Sequence, residues 1–237
     1  ILVNKEKSVL IQINNMKKVL VVAPHPDDET LGCGGTLLRH INDGDEVSWL
    51  IVTKITQAQG FSSDRVTSRA SEINQVAQMY NFKSVHHADF DSMALDTYSK
   101  KEMVETLSGL INQVKPEIIY LPYRLDAHSD HEVVFDAVAS CTKWFRYPYV
   151  KVVRAYETLS ETEFGLRPED SGFRPNLFIN ISEFIDKKIE IMRLYAGEMG
   201  EHPFPRSEKT LRALATLRGS ASGCEAAEAF MTLKEIL

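Results

Sequence analysis

The sequence is poor in cysteine: Cys33, Cys141 and Cys224 are its only three among 237 residues. They are scattered, and none forms a Cys-x-x-Cys unit, so a disulfide framework is excluded and reduced thiols in a cytoplasmic protein are expected. Long apolar runs are also missing. Stretches such as 19–23 and 118–121 fall far short of the roughly 20 residues that a membrane-spanning helix needs, so no integral membrane segment is expected. The opening residues carry Lys5 and Lys7 without an apolar core and a small-residue cleavage site, so no secretory signal is expected. There is no surplus of basic charge. Lysine and arginine number 27 against 33 acidic residues, a formal net charge of −6, which argues against nucleic acid or anionic lipid as partner. Internal repeats and low-complexity tracts are absent too. What remains is the balance of an ordinary soluble protein, 43% hydrophobic and 25% charged, with a length that fits one domain over residues 1–237.

Short β-branched runs alternate with longer amphipathic stretches. Residues 18–23 (KVLVVA) read as a buried strand stopped at Pro24, 47–53 (VSWLIVT) as a second, 84–86 as a weak third and 117–121 (EIIYL) as another. Between them, residues 30–41, 65–80, 100–114 and 131–145 space their apolar side chains helically, as Leu31, Leu37, Leu38 and Ile41 do. Segments 54–64, 88–99 and 122–130 are polar loops. The last third is less regular: 150–158 and 177–181 read as strands, 183–195 and 226–236 as helices, and 167–175 and 198–205 as loops. Strand–helix alternation requires long crossovers between parallel strands. The expected fold is α/β, a Rossmann-like, mostly parallel sheet with helices on both faces.

Open α/β sheets bind ligands beyond the carboxyl ends of their strands, and two loops there are unusual. The first strand runs into Pro24-His25-Pro26-Asp27-Asp28-Glu29, and the strand at 117–121 is followed by Asp126-Ala127-His128-Ser129-Asp130-His131. Imidazole nitrogen and carboxylate oxygen suit zinc, and a hydrolytic zinc site needs three protein ligands and an open position. Neither loop alone completes such a shell; together they do, with acids and bases to spare. The bland alternative is helix capping, in which Asp27, Asp28 and Glu29 satisfy free backbone donors at one helix and Asp130 does so at another. Capping does not account for three adjacent carboxylates beside a histidine held between prolines.

The string VLVVAPHPDDETLGCGGTL (19–37), with HSDH at 128–131, resembles the LmbE-like or PIG-L superfamily of zinc-dependent N-deacetylases, which remove an acetyl group from N-acetylglucosamine units in diverse conjugates. Arg69 and Glu72 match that family's Arg-x-x-Glu helix, and AEAF at 227–230 resembles its C-terminal segment. The resemblance implies that His25, Asp28 and His131 bind Zn²⁺, that Asp27 is the general base, and that His128 assists the carbonyl oxygen or the leaving amine. Asp130 or Asp126 would orient His128 and raise its pKa, with Asp130 favoured on family grounds. The implied partner is a small-molecule amino-sugar conjugate, and a homo-oligomer is compatible with the sequence. Arg69 and Asp91 are the substrate-binding candidates. Two departures stand out: Thr53-Lys54-Ile55-Thr56-Gln57 replaces a Thr-x-Gly-Glu segment of many relatives, and Asp126 stands where some carry a tyrosine.

Other residues are read structurally. Gly32, Gly34 and Gly35 lack phosphate-loop spacing and are expected to let a helix pack closely on the sheet. Adjacent His86 and His87 point to opposite faces of a strand and cannot both serve one site. His40 and His202 are expected at the surface, and Cys33 in the interior. Two competing readings are a non-catalytic sugar- or nucleotide-binding Rossmann-like module and a protein whose metal only staples two loops.

Overall fold

Alternation in the first strand sets the two-sided core. In β1 (Lys18–Ala23), Val19, Val21 and Ala23 enter one apolar cluster, while Leu20 and Val22 enter another, because successive side chains of a strand point to opposite faces. The computed structural model describes residues 16–166 and 172–237. The opening segment with Lys5 and Lys7, and residues 167–171 of the loop expected at 167–175, lie outside the described residues.

The chain continues through α1 (Asp28–Asn42), β2 (Glu46–Lys54), α2 (Ser63–Tyr80), β3 (Ser84–Asp91), α3 (Lys100–Val114), β4 (Ile118–Pro122), α4 (Ser129–Ser140) and β5 (Val152–Tyr156). It then forms β6 (Leu177–Asn180), α5 (Ile185–Met192), α6 (Glu208–Ser220) and β7 (Ala227–Glu235). One seven-stranded sheet results, in the order β3-β2-β1-β4-β5-β7-β6. Its first five strands are parallel, with Val21 opposite both Trp49 and Tyr120. Strand β7 runs antiparallel to β5 and β6. Residues of α1, α2, α5 and α6 share the first cluster, and those of α3 and α4 the second, so helices cover both faces. The α/β, mostly parallel architecture expected from the sequence is the one observed.

The last third departs from expectation. Within the stretch expected as a helix at 226–236, Ala227–Glu235 forms strand β7 instead. Its Ala, Glu, Met, Leu and Lys content favours a helix locally, but the segment pairs with β6 over Ala227–Phe230, where it is buried, and with β5 over Phe230–Glu235, and tertiary pairing overrides propensity. Helix α6, unread in the sequence, is started by Ser207, whose Oγ accepts the Thr210 N–H at 3.2 Å. Helix α4 stops at Ser140 rather than 145, and β3 extends to Asp91.

Helix α1 is interrupted at Cys33 (φ −143°, ψ 19°), which leaves backbone groups without helical partners in the core. Two buried charges satisfy them. Glu228 of β7 accepts the Gly35 and Thr36 N–H groups at 2.9 and 2.7 Å, while Lys188 of α5 donates to the Leu31 carbonyl at 2.9 Å. The two side chains pair with each other at 2.7 Å. Close packing by the α1 glycines is also seen: a Cβ on Gly32 would lie 2.2 Å from the Tyr156 ring, and one on Gly35 would lie 2.8 Å from Ile181. The first turn of α1, which carries Asp28 and Glu29, lies before the break, just beyond the carboxyl end of the central strand β1.

Candidate active site

Strand β1 has β2 on one side and β4 on the other, and the crossovers leave it in opposite directions. At such a switch point the loops beyond the strand ends part and open a crevice. The loops after β1 and β4 face each other there, so residues about a hundred positions apart in the chain become neighbours.

Three ligand atoms converge in the crevice. His25 Nδ1 and His131 Nε2 each lie 3.4 Å from the same oxygen, Asp28 Oδ2. The remaining nitrogen of each ring is held by a second carboxylate: His25 Nε2 donates to Asp130 Oδ2 at 3.0 Å, and His131 Nδ1 to Asp126 Oδ2 at 2.7 Å. Carboxylates placed behind histidines in this way fix the tautomer and orientation of metal ligands. His131 Nε2 is buried without any hydrogen-bond partner, an orphan that a cation would satisfy. The ligand atoms of His25, Asp28 and His131 all lie within 4.8 Å of one another. The donor set fits a divalent cation such as zinc.

The charges make the same demand. Burial opposes protonation of His131, yet Asp28 and Asp126 outweigh it and push its pKa up to about 10. Burial likewise opposes protonation of His25, and Asp130 and Asp28 raise it to about 9. Positive charge is wanted between these rings, and a cation supplies it to neutral imidazoles.

Asp27 and His128 flank the cluster. Asp27 takes a strained backbone, φ 142° and ψ −28°, and makes no capping bond from its side chain, so capping does not explain it. Its N–H is held by Glu29 Oε2 at 3.1 Å, and Glu29 Oε1 accepts Thr30 Oγ1 at 2.6 Å and Tyr195 OH at 2.9 Å. Burial first, and then the Asp28 charge, push Asp27 up to about 8, against the opposing pull of Arg206. The His128 ring lies 4.4 Å from that of His25, centroid to centroid, tilted by 54°. Its Nδ1 accepts the Asp130 backbone N–H at 3.2 Å. Burial and the charge on His25 push it down to about 4, so the ring is neutral and Nε2 carries its proton.

This corrects the expectation that Asp130 or Asp126 orients His128 and raises its pKa. The Asp130 carboxylate serves His25 and the N–H groups of Met93 (2.8 Å) and Leu95 (3.4 Å), and Asp126 serves His131. Only the Asp130 backbone touches His128, and the nearby Asp130 charge is outweighed by burial.

A cavity of about 680 Å³ opens over the site, walled by His25, Asp27, His128, Arg69, Arg206 and Glu198 among others. Arg69 is in that wall, but its guanidinium is engaged: it donates to the Pro26 carbonyl and to Glu198, faces Glu72 at 3.3 Å, and lies over the Tyr195 ring. It braces the first loop. Asp91 ends β3 outside the cavity wall, where its neighbours Ser92 and Met93 stand instead. Arg206 and Glu198 went unread, since nothing in the local sequence marks them. Arg206 reaches Asp27 Oδ2 at 2.7 Å, Ser160 Oγ at 2.6 Å and Glu161 at 3.1 Å.

Outside the site, His86 bonds Ser84 Oγ at 2.9 Å, and Cys33 is buried. His202 is exposed. His40 is not a free surface residue: it bonds Asp45 at 2.6 Å and Tyr120 OH at 2.9 Å. No helix among the described residues is long and apolar enough to cross a membrane.

The family model described as PIG-L, GlcNAc-PI de-N-acetylase, matches residues 20–142. A diacetylchitobiose deacetylase of Thermococcus kodakarensis is 27% identical over 231 residues, covering 91% of this chain and 82% of that protein. Among solved structures, the N,N'-diacetylchitobiose deacetylase of Pyrococcus horikoshii superposes with a TM-score of 0.72 at 19% identity, covering 94% of this chain and 86% of that one. The 4-carboxy-2-hydroxymuconate hydratase of Pseudomonas putida superposes with a TM-score of 0.71 at 20% identity, covering 94% and 98%. These two share the fold, and a fold hosts more than one chemistry. With both His- and Asp-rich loops inside a matched stretch that covers more than half of the sequence, the chain belongs to the PIG-L family.

Proposed function

We propose that this protein is a zinc-dependent hydrolase that removes the N-acetyl group from an N-acetylglucosamine-type sugar or conjugate. The observation that carries the reading is the convergence of His25 Nδ1, Asp28 Oδ2 and the orphaned His131 Nε2 on one point, in a crevice whose cavity is walled by Asp27 and His128. Family membership and the deacetylase relatives support it.

His25, Asp28 and His131 would hold the zinc ion. Bound there, zinc supplies Lewis acidity toward an amide carbonyl and toward water. Asp27 then takes the proton of the attacking water. Burial and Asp28 raise its pKa, while Arg206 opposes them and a cation beside it would favour the ionised form that accepts a proton. Arg206 fixes the Asp27 carboxylate from one side. His128, neutral and protonated at Nε2, donates to the carbonyl oxygen as negative charge develops on it. The C–N bond breaks, Asp27 returns its proton to the departing nitrogen, and acetate and the free amino sugar leave. The three free thiols accord with a cytoplasmic setting.

Replacing Asp27 by Asn tests the reading. Acetate release from diacetylchitobiose should fall by about 10²–10⁴-fold while zinc content stays at the wild-type level. Undiminished activity would remove Asp27 as the base. His131→Ala should lose the metal, and stoichiometric zinc in that variant would remove His131 from the ligand set.

A further inference from the structure

Beyond the reacting groups one side of the cavity wall is largely apolar, with Asn74 and His87 beside it, and the cations of the other side are neutralised, and this bears on what the sugar carries. Helix α2 lays Val66, Ala70 and Ile73 along the cavity, the spacing of one helical face. At 1.5 Å per residue that stripe runs for about 10 Å. Ile55 and Phe61, from the connection between β2 and α2, extend it, and Met93 at the rim is 65% exposed. Ala70 is exposed, and Val66, Ile73, Ile55 and Phe61 are only half-buried. They form an apolar surface with room beside it.

The cations in the same wall are already matched. Glu198 accepts from Arg65 at 2.9 Å and from Arg69, and lies 3.4 Å from Arg206. Arg65 is further held by Glu72 at 3.0 Å, and Arg206 by Asp27 at 2.7 Å. Lys54 at the rim faces Asp89 at 3.6 Å. A phosphate or carboxylate on the substrate would have to displace Glu198 from three guanidinium groups that it already holds in place, and would meet its charge. Among the described residues, every lysine and arginine of this wall has an acidic partner.

Taking the deacetylase reading as its basis, we infer that the natural substrate bears an uncharged, apolar aglycone of aryl or alkyl character, which lies on the Val66–Ala70–Ile73 face of α2 while the N-acetyl sugar occupies the crevice. Burial of such a group against this face lowers KM, and an anionic substituent gains nothing from arginines already neutralised.

The test compares the zinc-loaded enzyme on phenyl N-acetyl-β-glucosaminide, diacetylchitobiose and N-acetylglucosamine 1-phosphate. The phenyl glycoside should exceed the 1-phosphate in kcat/KM by about tenfold or more, chiefly through KM, as burial of a ring's apolar area predicts. Equal or better turnover of the 1-phosphate would overturn the inference while leaving the deacetylase reading intact. A gain-of-function variant sharpens the comparison. Ala70→Lys, at an exposed helical position where lysine is well tolerated, supplies an unpaired cation. It should narrow the ratio several-fold by improving the 1-phosphate, and an unchanged ratio would count against the placement. Calorimetric titration with phenyl glucosaminide and glucosamine 1-phosphate reads the same preference without turnover. Should no substrate be deacetylated, tighter binding of the phenyl compound would uphold the cavity's preference and the reaction alone would be lost; tighter binding of the phosphate would overturn the preference as well.

Discussion

Arg206 Nη1 donates to Asp27 Oδ2 at 2.7 Å across 179 positions of sequence. The same guanidinium is anchored on Ser160 and Glu161, so the contact is a brace on the carboxylate assigned as base. Arg206→Met should lower kcat by about 10²-fold, the order that a small misplacement of a reacting group costs, with zinc content unchanged. Arg206→Lys should recover part of the loss, because a point charge replaces only one arm of the fork. Wild-type kcat in Arg206→Met, measured with metal content on the same sample, would show that Asp27 needs no brace.

Asp126 stands behind His131 rather than beside His128, and this separates two assignments. Asp126→Ala should weaken zinc affinity by about 10–100-fold, as loss of a carboxylate behind a ligand histidine does, measured by competition with a chromogenic chelator. If Asp126 served His128 instead, zinc affinity would hold and only the rate of the saturated enzyme would fall.

The Lys188–Glu228 pair bridges the break in α1 from within the core. Lys188→Met leaves Glu228 buried and unpaired and strips the Leu31 carbonyl of its donor. The expected loss is about 3–5 kcal/mol, read from urea unfolding. A change below about 1 kcal/mol would mean that the pair behaves as a surface ion pair does.

The His40–Asp45 contact gives a pH signature away from the site. Burial alone would raise the Asp45 carboxyl, but the hydrogen bonds from His40 and the Lys17 N–H prevail and hold it below its ordinary value. A carboxylate depressed in the folded state stabilises above the unfolded value, about 3.9, and that contribution disappears as pH falls through the lower folded value. Asp45→Asn should therefore melt below wild type at pH 7, and the difference should close on acidification below about pH 4. A gap independent of pH would remove the charge from the explanation.

The parallel half of the fold was legible because β1, β2 and β4 are continuous apolar runs and α1 to α4 carry helical spacing, and the crevice followed from where two His- and Asp-rich loops fell in that order. Strand β7 was misread because Ala227–Glu235 has helix-forming residues, and only its neighbours β5 and β6 make it a strand. The residues of the His–Asp cluster could be named from the two loops, but which carboxylate stands behind which histidine could not. Asp126 and Asp130 are four residues apart, and their carboxylates are oriented by Thr162 and by the N–H groups of Met93 and Leu95, partners distant in the sequence. Arg206 and Glu198 were invisible for a simpler reason: their partners lie far away in sequence, and surface arginines and glutamates look the same until the chain is folded.

The central claim is that His25, Asp28 and His131 hold one divalent ion on which amide hydrolysis depends. Its most direct test is acetate release from diacetylchitobiose by protein stripped with a chelator and then titrated with zinc, with bound metal counted in parallel. Activity should vanish on stripping and return in proportion to bound zinc, reaching its maximum at about one equivalent, as a three-ligand catalytic site requires. Full activity in the metal-free protein, or zinc bound at one equivalent with no acetate released, would contradict the account.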